Sequence, residues 1–362
     1  MIPAAYALLD LEAVRHNLQI AKRHAPNAKI MAVIKANAYG HGLLRIASLL
    51  LPEVDAVALA RADEGIRLRK AGFDKPITIL EGFVCAEELE GLYQYHLDAV
   101  IHSSQQIDLL EQRRGEGLIS VWLKIDSGMN RLGFKGREVE AAYKRLAGCQ
   151  SVNRPVGLMT HLATADDLYD GNTPRQVAVF NELTKDYPGP RNIANSAGIL
   201  GWRETLSDWV RPGIMLYGCS PFIGQEAEQQ GLRPVMSLKS RVIAVKQVIA
   251  GESVGYGGGW VCPRDTQLGV IAIGYGDGYP RYARSGTPVL VNGREVPLIG
   301  RVSMDMITVD LQSQPEAKPG DPVTLWGAGL PVERIAQAAG TIPYTLLCGI
   351  TQRVRIVERE HG

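Results

Sequence analysis

The 362-residue chain has little of what would mark an unusual environment. Its five cysteines, at 85, 149, 219, 262 and 348, are odd in number, widely spaced and free of any C-x-x-C pair. That pattern speaks against a disulfide framework and against a zinc or other metal site. It fits a reducing compartment, the cytoplasm, with all five thiols acting as small buried apolar side chains. Charge of one sign is not in excess: 39 Lys+Arg against 38 Asp+Glu leave a formal charge of +1. No nucleic-acid-binding stripe and no charged tail is therefore expected. No apolar run reaches the roughly eighteen residues of a membrane span. The opening "MIPAAYALLDLEAVRHN" lacks a basic n-region and gains acids at Asp10 and Glu12, so it does not read as a signal peptide. Low-complexity segments are absent too.

What is present is ordinary globular composition, 46% apolar and 21% charged, in a chain too long for one small core. From residue 29 short β-branched runs alternate with amphipathic helical stretches. The runs are "KIMAVIK" (29–35), "DAVALA" (55–60), "PITIL" (76–80), "DAVIH" (98–102), "ISVWLKID" (119–126), "PVGLMTH" (155–161), "RNIANS" (191–196) and "WVRPGIMLYG" (209–218). Eight such units predict a parallel (β/α)8 barrel over residues 8–230. A doubly wound open sheet would normally show fewer units and a Gly-rich first turn, and no G-x-G-x-x-G follows the first run. Beyond residue 230 the texture turns β-rich, and Asn292-Gly293 is a strong hairpin signal. A second, mostly β domain over 231–362 is expected.

Active sites of such barrels lie at the C-terminal strand ends. Those ends carry Lys35, His102, Lys124 with Asp126, His161, Asn195 with Ser196, and Arg211. So many polar and basic groups predict a pocket for an anionic ligand. A lysine in a dry site has a lowered pKa and can form an imine. Lys35 read alone could equally snorkel to solvent. Tyr39 and the Gly40/Gly42 pair beside it favour a phosphate, because exposed backbone N–H groups attract an anion.

The stretches "AVIKANAYGHG", "VWLKIDSGMNRLGF", "MTHLATAD", "IANSAG", "VRPGIMLYG", "VGYGGGW", "AIGYGDGYPR" and "GRVSMDM" stand in order along nearly the whole chain. Together they resemble the bacterial alanine racemase family, isomerases of fold type III. The resemblance implies a barrel holding pyridoxal 5′-phosphate, a β domain to which residues 1–7 pair, and a homodimer acting on L-alanine and D-alanine, with no nucleic-acid or membrane partner and a place in D-alanine biosynthesis. It makes Lys35 the cofactor-bearing lysine and, with Tyr256 reaching across the dimer, the catalytic pair. Tyr39, Asn195, Ser196 and the backbone N–H groups of Gly213 and Ile214 would hold the cofactor, its phosphate above all. Arg211 would face the pyridine nitrogen, supported by His161. Arg131 and the Met304 backbone would bind the substrate carboxylate, and Lys124 would be carbamylated to orient Arg131. Tyr275 would line the chamber, Asp166, Arg281 and Arg301 its entrance, and Asp305 would orient its loop.

Those residue types suit racemisation. A proton must leave one face of Cα and return to the other, so two carriers on opposite faces are the simplest design. A phenol needs cationic neighbours to lower its pKa, and Arg211 and His161 are basic. An arginine does not protonate a pyridine nitrogen, which favours reprotonation at Cα over side reactions. A decarboxylase on the same fold would want an acid there. A non-catalytic pyridoxal-phosphate carrier would resemble the barrel alone. A broader-specificity racemase remains open, because "GITQRVRI" puts Gln352 where some relatives carry a chamber tyrosine. Thr345 likewise stands where relatives commonly have an acid.

Overall fold

Eight short runs of small and β-branched residues pair in parallel, each with the next, until the last meets the first. In the computed structural model, which describes residues 4–359, they are Lys29–Val33, Ala56–Leu59, Ile77–Ile79, Asp98–Ile101, Val121–Lys124, Gly157–Met159, Arg191–Asn192 and Trp209–Val210. Lys29 and Ile30 pair with Trp209 and Val210 and close the barrel. Helices on the outside bury one apolar stripe each. Ser104–Gln112, for example, buries Ile107 and Leu110 and begins with the Ser103 hydroxyl accepting the Gln106 N–H. The expected barrel is there.

The strands are shorter than the apolar runs that announced them. "KIMAVIK" pairs only to Val33, "RNIANS" only over Arg191–Asn192, and "WVRPGIMLYG" only over Trp209–Val210. Each truncation has a local cause. Pro212 has no N–H to give a ladder. Asn195 leaves the sheet to cap the helix Ser196–Gly201. Lys35 opens a turn described below. The residues freed from pairing are those that face the barrel mouth.

The second region is a mixed sheet. Its order is Thr266–Ile271, Ile307–Asp310, Arg294–Ile299, Pro288–Val291, Pro322–Trp326, Met236–Val248, Tyr6–Leu9 and Arg355–Glu358. Met236–Val248 also pairs with Thr266–Ile271, so six strands form a ring. This strand turns the corner with a register shift between Val242 and Ala244. Asn292 and Gly293 make the tight hairpin, both with positive φ, between Val291 and Arg294.

Tyr6–Leu9 lies between Met236–Lys239 and Arg355–Glu358, antiparallel to one and parallel to the other. Of the segment 1–7, residues 1–3 lie outside the described residues, as do 360–362 of the second region. Asn17, fully buried on the helix Leu11–His24, then ties the two regions together. Its Nδ2 donates to the carbonyls of Leu216 and Arg233 at 3.2 and 2.8 Å, and its Oδ1 accepts from the Arg233 N–H at 2.8 Å.

No described helix is long and apolar enough to cross a membrane, and no described group of His, Cys, Asp and Glu could hold a metal ion. All five cysteines are free. The expectation that all are buried fails at two: Cys85 is half-buried and Cys348 exposed.

Because Asn17 saturates three backbone groups in a dry site, Asn17→Ala is expected to destabilise the chain by about 2–3 kcal/mol. Gln19→Ala, which removes one exposed contact to Glu53, is expected to change stability by less than about 0.5 kcal/mol. Urea unfolding of the two variants checks the contrast.

Candidate active site

After Val33 the chain leaves the sheet in a rare conformation. Ala36, Asn37, Ala38 and Tyr39 have φ of 53, 54, 53 and 51°, a full left-handed turn without a glycine. Each such residue costs about 1–2 kcal/mol, so the turn persists only where its surroundings over-determine it. Glu64 accepts the N–H groups of Ala36 and Asn37 at 3.2 and 2.7 Å. Asn37 Oδ1 accepts the Leu43 N–H at 2.9 Å. His41 Nδ1 donates to the carbonyls of Ala38 and Tyr39 at 3.1 and 2.8 Å. Gly40, at φ 82°, lies so close to the helix Pro343–Cys348 that a Cβ would meet the Leu347 carbonyl oxygen at 2.2 Å. The turn thereby aims Lys35 and Tyr39 at one space.

That space is a cavity of about 630 Å³ at the barrel mouth. Lys35, Tyr39, Lys124, Arg131, His161, Asn195, Ser196, Arg211, Gly213 and Ile214 all line it. Burial, and then the neighbouring Arg131 charge, hold the Lys35 amine below its ordinary pKa. Lys124 lies well below its own, through burial and then the charges of Arg211 and Arg131. Both amines are therefore biased toward the neutral, nucleophilic form.

Arg211 is the anchored cation. Nη1 donates to the Asn192 carbonyl at 2.9 Å and to the Asn192 side-chain oxygen. Nη2 donates to the carbonyls of Thr160 and Ile193 at 2.7 and 3.3 Å, and to His161 Nδ1 at 3.5 Å. Burial brings its pKa down to about 10, which leaves it charged near neutral pH. His161, accepting from that guanidinium, is pushed well below its usual pKa by burial and by Lys124 and Arg211. It is a neutral acceptor, so of the two basic neighbours expected to acidify a phenol only Arg211 carries charge.

Another wall is rich in small donors. The Ser196 hydroxyl accepts the N–H groups of Gly213 and Met215 at 2.9 and 3.3 Å. A side chain at 213 would collide with the Tyr39 hydroxyl, since its Cβ would lie 2.7 Å from that oxygen. Burial holds the Tyr39 phenol far above its usual range, so it remains a donor. The Gly213 N–H expected to face an anion is thus already hydrogen-bonded to Ser196. Asn195 Oδ1 accepts the Gly198 N–H at 2.9 Å and starts the short helix that carries Ser196. Arg131 stands on a loop folded by Asp126, whose Oδ1 accepts the N–H groups of Gly128 and Asn130, each at 3.0 Å.

The remaining expected residues do not line this cavity within one chain. Tyr256 lies on the turn Tyr256–Gly258 of the second region and is 69% exposed. Arg301 packs beside Gly257 of that turn. Tyr275 is also exposed, with the Arg281 guanidinium 6.0 Å from its ring centre. Met304 is exposed and its carbonyl accepts the Gly276 N–H at 2.9 Å. Asp305 pairs with Arg353 at 2.7 Å, which fits loop orientation. Asp166 lies near Tyr344, whose phenol is held above its usual pKa by burial and, in lesser part, by the Asp166 charge.

Tyr344 is the residue that sequence reasoning missed. It lines the cavity with its ring 5.9 Å from that of Tyr39. Its only signal is an aromatic next to Pro343 at a helix start in "IPYTLLC". Glu81, Met129 and the strand-end residues His102 and Asp126 also line the wall. Gln352 is exposed and outside it.

With this geometry in place, likeness to known proteins is decisive. The alanine racemase N-terminal domain profile matches residues 9–221, and the alanine racemase C-terminal domain profile matches residues 235–358. The chain belongs to the alanine racemase family. Alanine racemase of Aeromonas hydrophila is 52% identical over 351 residues, covering 97% of this chain and 98% of that protein. The crystal structure of biosynthetic alanine racemase from Pseudomonas aeruginosa superposes with a TM-score of 0.96 at 43% identity, covering 99% of this chain and 100% of that one. Alanine racemase from Bartonella henselae, solved with covalently bound pyridoxal phosphate, gives 0.89 at 28% identity over 99% of this chain and 100% of that one.

His41 makes the pocket's support sensitive to acid. It is fully buried, its Nε2 has no partner among the described residues, and its pKa is pushed down from 6.5 to about 4, chiefly by burial. The folded chain resists a proton that the unfolded chain accepts, so this contribution is intact above pH 6.5 and declines as pH falls toward 4. Between pH 7 and pH 5 the wild type is expected to lose on the order of 2 kcal/mol more than His41→Gln. Urea unfolding at both pH values measures it.

Proposed function

We propose that this chain interconverts L-alanine and D-alanine, using pyridoxal 5′-phosphate held in the barrel cavity, as a cytoplasmic homodimer built from domains 8–230 and 231–362. One observation carries the reading: Lys35, Lys124, Arg131 and Arg211 converge with Tyr39, Ser196 and Gly213 on a single cavity in a member of this family. The donor set fits the cofactor. Four cationic side chains face only Glu81 and Asp126 as acids, and the hydroxyls of Tyr39 and Ser196 stand beside a backbone that only glycine at 213 leaves open. Tyr39, Asn195, Ser196, Gly213 and Ile214 would hold the phosphate end, and Arg211 the ring nitrogen. The free cysteines support the compartment.

When bound, the cofactor supplies the electron sink that makes the Cα–H of an amino acid acidic. The chain's own residues do the rest. Lys35, with its lowered pKa, takes or returns the proton on one face. Tyr256 of the partner subunit serves the other face. Arg131 holds the substrate carboxylate, together with the Met304 backbone of the partner subunit. Arg211 keeps its proton and offers a hydrogen bond, so electron density stays available at Cα and a proton returns there. A carboxylate in its place would suit decarboxylation better. Neutral His161 accepts from Arg211 and fixes its plane. Tyr275 would line the chamber, with Asp166, Arg281 and Arg301 at its mouth.

The dimer is supported by the exposure of Tyr256, Tyr275, Tyr282, Met304 and Met306 on the second region. Lys35→Ala and Tyr256→Ala are each expected to abolish racemisation by optical-rotation assay. After subunit exchange, their mixture is expected to recover about a quarter of wild-type activity, because each heterodimer holds one intact site. No recovery after confirmed exchange would rule out a shared site.

Lys124 is proposed to be carbamylated: its neutral nitrogen adds to carbon dioxide, a C–N bond forms and a proton leaves to solvent. The Lys124 amine beside Arg131 becomes an anion facing that guanidinium. In 13C-bicarbonate a carbamate carbon resonance is expected, absent in Lys124→Ala. An unmodified Lys124 at saturating bicarbonate would refute it.

A further inference from the structure

We propose that Glu64 is a positioning residue for the cavity amine: a two-oxygen clamp on the left-handed turn that follows Lys35. Glu64 does not line the cavity. It stands in the first turn of the helix Ala62–Lys70, behind the second barrel strand, and acts through the backbone. Its Oε2 takes the Ala36 N–H at 3.2 Å and its Oε1 the Asn37 N–H at 2.7 Å. These are the first two of the four left-handed residues, immediately after Lys35. Successive N–H groups in such a turn converge on one side, and an ionised carboxylate is the acceptor best matched to a converging pair. The other supports act further along, at Asn37 Oδ1, His41 and Gly40. Beside the turn's own backbone bonds, Ala38 N–H to the Ile34 carbonyl and Gly40 N–H to the Ala36 carbonyl, Glu64 is the side chain that secures the end carrying the amine.

The clamp is also electrostatic. Arg131 lowers the Lys35 pKa, while Glu81, Cys348 and Glu64 raise it. Lys124 and His161 face the same amine. Glu64 therefore fixes where the lysine points and, as the smallest influence after burial, Arg131, Glu81 and Cys348, favours its protonated form.

The turn is tested independently of the cofactor, and only the last measurement rests on Lys35 as the cofactor lysine. Amide hydrogen exchange of the full chain, with and without added pyridoxal 5′-phosphate, is compared for wild type, Glu64→Gln and Glu64→Ala. Glutamine keeps one acceptor and presents an amide donor to the other N–H, so exchange across residues 35–39 is expected to quicken about tenfold, and further in Glu64→Ala. The pH midpoint for acetylation of Lys35 in the cofactor-stripped chain is expected to fall. A merely structural Glu64 would lower Tm and leave that midpoint in place. Ala36→Gly in the Glu64→Gln background is expected to restore slow exchange by at least about half, because glycine accepts positive φ without steric penalty. If Glu64→Ala does not fold, the Glu64→Gln pair carries the comparison. Unchanged exchange together with an unchanged midpoint overturns the proposal. Pyridoxal 5′-phosphate titration then closes the experiment: its apparent Kd is expected to rise at least about fivefold in Glu64→Gln. Faster exchange with an unaltered Kd would uphold the clamp and overturn Lys35 as the cofactor's attachment.

Discussion

Positive charge collected on one cavity wall, from buried Arg211 to exposed Arg131, is the constraint on which this structure depends. Two lysines and two arginines share one cavity wall with two acids, and an unpaired buried cation is among the most expensive features a fold can keep. The chain meets that constraint in two ways. Arg211 stays charged and is surrounded by three carbonyls contributed by two neighbouring strand ends. Lys35 and Lys124 instead give ground toward neutrality. What remains unsatisfied is an attraction for an anion. Affinity and strain have the same origin here.

The two-part architecture follows from what each part can do. A closed barrel presents strand ends to one face, and its short strands release the residues that line the cavity. It cannot place a proton carrier on the opposite side of a ligand lying across that face. The β region supplies exposed turns such as Tyr256–Gly258 at the tips of its strands. Three glycines, 255, 257 and 258, let that turn adopt positive φ. Tyr6–Leu9, seated between two strands of the β region, fixes one part against the other.

Much of this was legible in the residues. The eight apolar runs foretold the barrel because buried parallel strands need continuous β-branched stretches, and their ends named eight residues that line the cavity. Three things were not legible. Run lengths overstated the strands, since an apolar residue near the barrel mouth looks the same whether it pairs or turns away. The left-handed turn at "KANAY" was invisible because alanine and tyrosine ordinarily avoid that conformation. It is imposed from outside by Glu64, His41 and the Leu347 carbonyl. Tyr344 was overlooked because its place depends on a helix some three hundred residues distant packing on the Tyr39 turn. Local pattern carries no trace of such a contact. The cysteine reading failed for the same reason at Cys348, which the fold leaves exposed on that helix.

That long-distance contact bears on biogenesis. In a chain emerging from the ribosome, Lys35 and Tyr39 precede by some three hundred residues the Leu347 carbonyl that seats against Gly40. Until the helix Pro343–Cys348 has been made, the wall behind Tyr39 is missing a course, and the nascent polypeptide has no completed receptacle.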